Sequence, residues 1–314
     1  MWLGRRKPSD GRETSAKDAQ RALERALDNL RLQLGWLQSR EIRTAEALPD
    51  AEFRVFSQWG EDGIIQFLIQ RVPIEREVFV EIGVQDYRES NTRFLLEQDD
   101  WRGVIVDADA AHLDFLEERE LGWRHWIDPI TAFVDPDNVN ELIAGAGIEG
   151  DIGLLSIDID GNDYWVLEAI EVVTPRILVV VYNSVFGPAA EITVPYDPVF
   201  DREKAHSSWL YFGASIGALA RLAEQKGYSL VGSNRAGGNA FFVRDDVRAD
   251  LPAIRPEEAY VRSRFRESRG PGGELSQISE HADRVALMAE MPVLDLRTGN
   301  QTTVAAAVGP ERPR

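Results

Sequence analysis

The sequence predicts an α/β fold: a doubly wound, mostly parallel sheet with a helical N-terminal arm and a C-terminal extension. Three observations predict it. Between Phe53 and Val243 short β-rich runs alternate with helical patterns, as in parallel strands joined by crossover helices. Most of these runs are apolar throughout rather than alternating, as expected of strands covered by helices on both faces. With 44% apolar content in 314 residues the chain can bury one sizeable core, and nothing suggests two of similar size.

The elements follow in order. From Ala19 to Ile42 the residues Leu23, Leu27, Leu30, Leu34 and Leu37 are spaced alternately four and three apart, which places them on one helical stripe. Such a stripe joins two subunits in a short coiled coil or lies on its own domain, and the sequence leaves both open. Pro49 marks a hinge, so residues 1–50 form the arm and 51–247 the main domain. Strands are expected at Val78 to Glu81, Val104 to Asp107, Ile152 to Asp158, Ile177 to Tyr182 and Ala240 to Val243. Helices are expected at Gly63 to Arg71, Asn91 to Glu97, Ala111 to Arg119, Tyr164 to Glu171 and Ile216 to Lys226. Residues 248–314 are richer in charge, Gly and Pro. Their part from Glu257 to Met291 reads as an ordered flap, and the tail from Thr302 as disordered.

Composition narrows the function classes. The formal net charge of −18 repels phosphate backbones and anionic lipid surfaces, which disfavours nucleic acid and membrane as partners. Zero cysteines exclude disulfides, thiolate nucleophiles and zinc-thiolate sites. The longest apolar run, Ile177 to Tyr182, is too short to span a bilayer, and the basic segment Met1 to Pro8 leads into polar sequence rather than a signal region. These features together read as a cytoplasmic protein.

Three segments carry chemistry. Val78 to Tyr87 is a buried strand ending in Glu81, followed by Gly83 and a polar turn, where a ligand can approach backbone closely. No full Gly-x-Gly-x-x-Gly is present, which argues against a dinucleotide pyrophosphate at this turn. The second strand finishes on Asp107, placed to accept hydrogen bonds from ribose hydroxyls; capping of the next helix by Asp107 and Asp109 is the alternative. The third segment brings Asp158, Asp160 and Asp163 to one strand end, where carboxylates can hold a cationic ligand, coordinate a hard cation or act as a base. Capping of the helix near Tyr164 accounts for one of the three.

The order of these segments resembles class I S-adenosylmethionine-dependent methyltransferases, and their wording is similar to the FkbM-like family of polysaccharide and natural-product pathways. The resemblance runs from about Phe56 to Val243. It rests on Ser57-Gln58-Trp59-Gly60-Glu61-Asp62-Gly63, Glu81-Ile82-Gly83, Glu89-Ser90-Asn91-Thr92, Trp101-Arg102-Gly103, Asp158-Ile159-Asp160-Gly161-Asn162-Asp163-Tyr164, Gly227-Tyr228 and Gly238 through Val243. It implies a seven-stranded, Rossmann-like methyltransferase sheet that binds S-adenosylmethionine. Glu81, Gly83 and Asp158 would border the cofactor, Asp107 would take its ribose, residues near Thr131 to Phe133 would flank the adenine, and Gln58 and Trp59 would close over the pocket. Two departures stand out: the usual second glycine of the first turn is replaced around Asp86 and Tyr87, and Asp160 stands where many relatives carry Glu.

A related group of sugar O-methyltransferases holds magnesium with aspartates after the fourth and fifth strands, so Asp160 and Asn183 are the residues to test for Mg2+. His206, in a loop long enough to cover a substrate, is the candidate base beside Asp160. The expected function is methyl transfer to a sugar or glycan-related hydroxyl, with a small-molecule or glycan acceptor and a homo-oligomer through the N-terminal helix. The rival reading is a non-catalytic binding or assembly protein that keeps the fold.

Overall fold

The computed structural model describes residues 10–263 and 268–309, and only the backbone of residues 10–17. The Met1 to Pro8 segment lies outside the described residues. Strands β1 (Val78–Ile82), β2 (Arg102–Asp107), β3 (Ile127–Thr131), β4 (Gly150–Ile157), β5 (Val173–Val181), β7 (Tyr228–Ser233) and β8 (Asn239–Arg244) make one sheet in the order β3-β2-β1-β4-β5-β8-β7. Strands β1 to β5 run parallel, and β8 is antiparallel to both β5 and β7. This is the expected doubly wound, mostly parallel, seven-stranded Rossmann-like arrangement.

Its strand order reverses between β1 and β4, which opens a crevice at their carboxyl ends. Buried side chains cover both faces of the sheet. One cluster holds Val80, Ile157 and Leu219, and the other holds Phe79, Ile105 and Phe241. Strands β3 and β7 escape the apolar-run criterion for local reasons: β3 is an exposed edge containing Pro129, and β7 is interrupted by Ser229 and an irregularity before Gly232.

Helix α1 (Asp10–Glu41) docks by a face other than its leucines. Asp28 pairs with Arg93 at 2.8 Å, Glu24 with Arg119 at 2.8 Å, and Arg25 donates to the Glu118 carbonyl at 3.0 Å. At Gly35 the helix comes so close that an added Cβ would meet Val55 at 2.5 Å. The leucine stripe therefore does not lie on its own domain.

The C-terminal region is the larger correction. Strands β9 (Pro292–Asp295) and β10 (Asn300–Thr303) join β6 (Ile192–Thr193) in a second sheet, and a helix follows at Val304–Val308. Val293 and Val304 are fully buried with Phe186, Ile192 and Met288 in a third core. The tail expected to be disordered from Thr302 is thus ordered as far as Gly309. Short apolar stretches such as Pro292–Asp295 become strands because β6 supplies a partner about a hundred residues earlier.

Candidate active site

The site begins at the turn after β1. Gly83 has φ +86°, and a Cβ on it would lie 1.7 Å from the Asp158 carbonyl oxygen. The glycine is needed because the end of β4 passes against it, so protein backbone rather than a ligand makes the close approach. Asp107, at the end of β2, holds the same turn. Its Oδ2 accepts from the amides of Val84 (2.9 Å) and Gln85 (2.7 Å), and its Oδ1 accepts from the Asp109 amide at 2.9 Å. The missing second glycine is accommodated by left-handed Gln85 (φ 49°) and Tyr87 (φ 62°); the Tyr87 ring is fully buried and its hydroxyl lies 3.2 Å from Thr92 Oγ1.

Glu81 is buried, and the 90–92 turn wraps its carboxylate. Ser90 Oγ donates at 2.6 Å, and the amides of Asn91 and Thr92 donate at 2.9 and 3.2 Å. Burial pushes its pKa up against these hydrogen bonds. Glu81 thereby shapes the wall of the cleft, since most of its acceptor capacity is spent on the protein.

After β4 the three aspartates divide their work. Asp163 accepts from the amides of Ile159 (2.8 Å) and Gly161 (2.9 Å) and stabilises its own turn; burial raises its pKa to about 6. Asp160, in left-handed backbone (φ 54°), pairs with Arg202 Nη1 at 2.7 Å. Asp158 receives no hydrogen bond from the described residues, and its side chain is exposed at the open cleft. Desolvation by the protein crowded around the strand ends, reinforced by the charges of Asp160 and Asp163, pushes its pKa well above the ordinary carboxylate range even though the side chain reaches the open cleft, and Arg202 opposes that rise.

These residues line one crevice. An inner chamber of about 190 Å3 is bounded by Gly83, Asp107, Phe133, Asp158, Asn162 and Phe200. A neighbouring chamber of about 270 Å3 shares Gly83, Gln85, Asp158 and Asp160 with it and is bounded by Glu81, Gln58, Trp59, Arg202, Phe212 and Asn239. Together they reach the size of a small-molecule site, about 300–1,000 Å3. Glu81, Asp107 and Asp158 thus converge on a common cleft beside Gly83. Of the expected adenine-flanking residues Phe133 lines the inner chamber with Ala132, whereas Thr131 does not.

Polar atoms at this cleft are short of donors. Asn239 and Asn162 are buried; their amide nitrogens donate to Glu61 (3.0 Å) and to the Asp197 carbonyl (2.8 Å), and the Oδ1 of each has no partner among the described residues. These two buried oxygens are costly to leave unmet, and the exposed carboxylate of Asp158 lines the same crevice.

Several residues that build this wall have no role in the sequence reading, although Glu61 and Asp62 lie within the motif that carries the resemblance. Glu61 accepts from the amides of Trp59 (2.9 Å) and Gly60 (2.8 Å) and from Asn234 Nδ2 at 2.5 Å. Asp62 accepts from the amides of Val55, Phe56 and Ser57, at 2.7, 2.9 and 2.7 Å. The two acids thus fold the 55–60 loop so that Gln58 and Trp59 edge the second chamber. Arg202 is placed by donating to the Trp209 carbonyl at 2.6 Å and by stacking 4.2 Å over the Phe212 ring.

Three expected roles are corrected. Asn183 is fully used inside the protein: its Nδ2 donates to the carbonyls of Leu210 (2.7 Å) and Phe212 (3.0 Å), and its Oδ1 accepts from the Val185 amide. Its side-chain atoms are thus all spent on the protein, and Asp160, the other half of that expected pair, is engaged by Arg202. Among the described residues no group of three His, Asp or Glu could hold a metal ion. The same ion pair removes Asp160 as a free base. His206 is not among the residues lining either chamber; its Nδ1 accepts from the Ser208 amide at 3.2 Å and lies 2.7 Å from Ser208 Oγ, which ties it into its own turn.

No family model and no curated protein matches the chain. Among solved structures it is similar to TomG from Streptomyces achromogenes, an O-methyltransferase involved in tomaymycin synthesis solved in complex with S-adenosylmethionine. That match has 14% identity and a TM-score of 0.37, and covers 68% of this chain and 89% of TomG. An O-methyltransferase family protein from Burkholderia thailandensis matches at 13% identity and TM-score 0.36, over 70% of this chain and 72% of its own. PhzM, a pyocyanin biosynthetic protein, matches at 14% identity and TM-score 0.36 over 58% of this chain, and the match spans 56% of PhzM's length. No helix among the described residues is long and apolar enough to cross a membrane.

Proposed function

We propose that this protein is an S-adenosylmethionine-dependent O-methyltransferase acting on a sugar or glycan-related hydroxyl. The observation that carries the proposal is the cleft at the carboxyl ends of β1, β2 and β4, where the exposed carboxylate of Asp158 stands with two buried acceptors that have no donor among the described residues, Asn162 Oδ1 and Asn239 Oδ1. Such a cleft selects a ligand that is cationic and rich in N–H and O–H donors, and the cofactor's sulfonium, ammonium, adenine amine and ribose hydroxyls match that demand. The adenosine belongs in the inner chamber beside Asp107, Phe133 and Asn162. The methionyl end belongs beside Glu81, Asp158 and Asn239.

When bound, the cofactor supplies an electrophilic methyl group on its sulfonium. The protein's residues then orient and enclose. Asp158 balances the cationic end, and the Trp59 edge and the Arg202–Phe212 stack narrow the mouth and exclude water, which is where most of the acceleration of an in-line transfer can arise. The half-exposed Trp59 indole, with Gln58 and Glu89 on the same chamber, offers a stacking face and hydrogen-bonding groups suited to a sugar ring.

Calorimetric titration tests the reading, with S-adenosylmethionine and NAD compared side by side. Saturable S-adenosylmethionine binding is expected, weakened about ten- to hundredfold in Asp158→Ala, as for loss of a charge-assisted contact. Binding of NAD in its place, or of neither, overturns the proposal. Methyl transfer to a panel of sugars, with phenolic acceptors as the contrast, decides the acceptor class.

A further inference from the structure

We infer that the leucine stripe of α1 is a self-association surface, and that two copies of the chain pair through it in an antiparallel two-helix coiled coil. Leu23, Leu27, Leu30, Leu34 and Leu37 are 60, 45, 55, 59 and 50% exposed, on a helix already held firmly by its other side. The docked side is itself a regular row, Arg25, Asp28, Leu32 and Gly35. At 3.6 residues per turn that row lies about 160° around the helix from the leucines, so a second helix could lie on most of the stripe clear of its own domain, with Leu27 bordering a crevice beside Arg54 and Arg88.

The alternate four-and-three spacing makes the leucines successive a and d positions of a heptad, with Leu27 and Leu34 at a. This face matches another copy of itself, because leucine knobs on one helix fit holes between leucines on the other. Charge decides the direction. In a parallel pair the flanking positions bring Ala26 beside Arg31 and Gln33 beside Gln38, which gives no ion pair. In an antiparallel pair with Leu23 opposite Leu34 and Leu27 opposite Leu30, the e positions meet, and Arg31 of one copy lies next to Glu24 of the other, whose partly exposed carboxylate would then be shared between Arg31 and Arg119 of its own chain. The segment from Leu23 to Leu37 is only about 22 Å long, so the interface is at the small end of stable ones and the dimer should form with a concentration-dependent midpoint.

Light scattering of the full chain over about 1–100 µM is the test. The mass is expected to rise from 35.3 kDa towards twice that value, and Leu30→Glu with Leu34→Glu is expected to hold it at the monomer mass. Because these leucines are exposed in the single chain, the variant should keep the melting temperature measured for dilute wild type. A wild type that stays monomeric throughout, or a variant that still dimerises, overturns the inference. The chain contains no cysteine, so direction can be read cleanly. Mixed Leu23→Cys and Leu34→Cys chains should form the mixed disulfide in preference to either homodisulfide, and the opposite preference overturns the antiparallel arrangement.

Discussion

Asp158 carries a cost in the ligand-free protein that a cationic ligand would remove. Its pKa is raised first by desolvation from the surrounding strand ends and then by Asp160 and Asp163, so the folded chain holds the proton more tightly than the unfolded chain, whose value is near 3.8. Between these two values the native state binds more protons than the unfolded one. The stability associated with this carboxyl is therefore present at low pH and is lost as pH rises through the folded pKa. Ligand binding has the opposite sign: a cation in the cleft favours the ionised form, so its affinity should rise with pH over the same window. Asp158→Asn should separate the two effects. Its melting temperature without ligand should exceed that of wild type at neutral pH, and its affinity for S-adenosylmethionine should be weak and nearly independent of pH. Thermal melts and titrations at about pH 5 to 8 measure both; a variant that melts lower at every pH would mean that Asp158 is structural.

At the scale of elements, the β1 and β4 ends are locked by a glycine whose purpose the sequence does not reveal. Both a ligand-binding turn and a tight crossing of two backbones call for a residue without Cβ, and only the carbonyl of Asp158 against Gly83 distinguishes them. Gly83→Ala combines a left-handed φ with a clash against backbone that cannot rotate away. We expect a loss of roughly 1–3 kcal/mol of stability. Cofactor affinity should fall as well, because the shift moves Asp158; chemical denaturation and titration report the two losses, and an unaltered affinity would mean that β4 tolerates displacement. Local patterns were legible here wherever one element suffices. The helix over Ala111–Arg119 was read to the residue, and the strand ending at Asp107 was read because apolar runs and caps are local signals. The supports behind Gln58 and Trp59 in the wall of the second chamber were not, because they depend on contacts such as Asn234 with Glu61, separated by 173 positions. Likewise Asn183 reads as a ligand at a strand end until the carbonyls of Leu210 and Phe212 are seen to occupy it.

Across the whole molecule, the mouth of the cleft is tied to the end of the chain. The segment after β6 carries Phe200 and Arg202 into the site, and β6 itself pairs with β9, which in turn pairs with β10. Phe200 packs against the same core as Met288, Val293 and Val304. None of this was readable from composition, because a Gly- and Pro-rich stretch after Asp246 signals the end of the main sheet and says nothing of a smaller sheet completed by an earlier insertion. The arrangement predicts a division of labour that one substitution can test. Val293→Asp places a charge at a fully buried position of the small core and should unseat β9 and β10, while the seven-stranded sheet keeps its own two clusters. Glu81, Gly83, Asp107 and Asp158 stand on that larger sheet, so S-adenosylmethionine affinity should fall only a few-fold, through Phe200. Methyl transfer should fall at least tenfold, since Arg202 and Phe212 no longer narrow the mouth. Limited proteolysis would locate the loosened segment, and calorimetry with a transfer assay would give the two losses. Equal losses in both would mean that the C-terminal sheet supports the cofactor site itself rather than its covering.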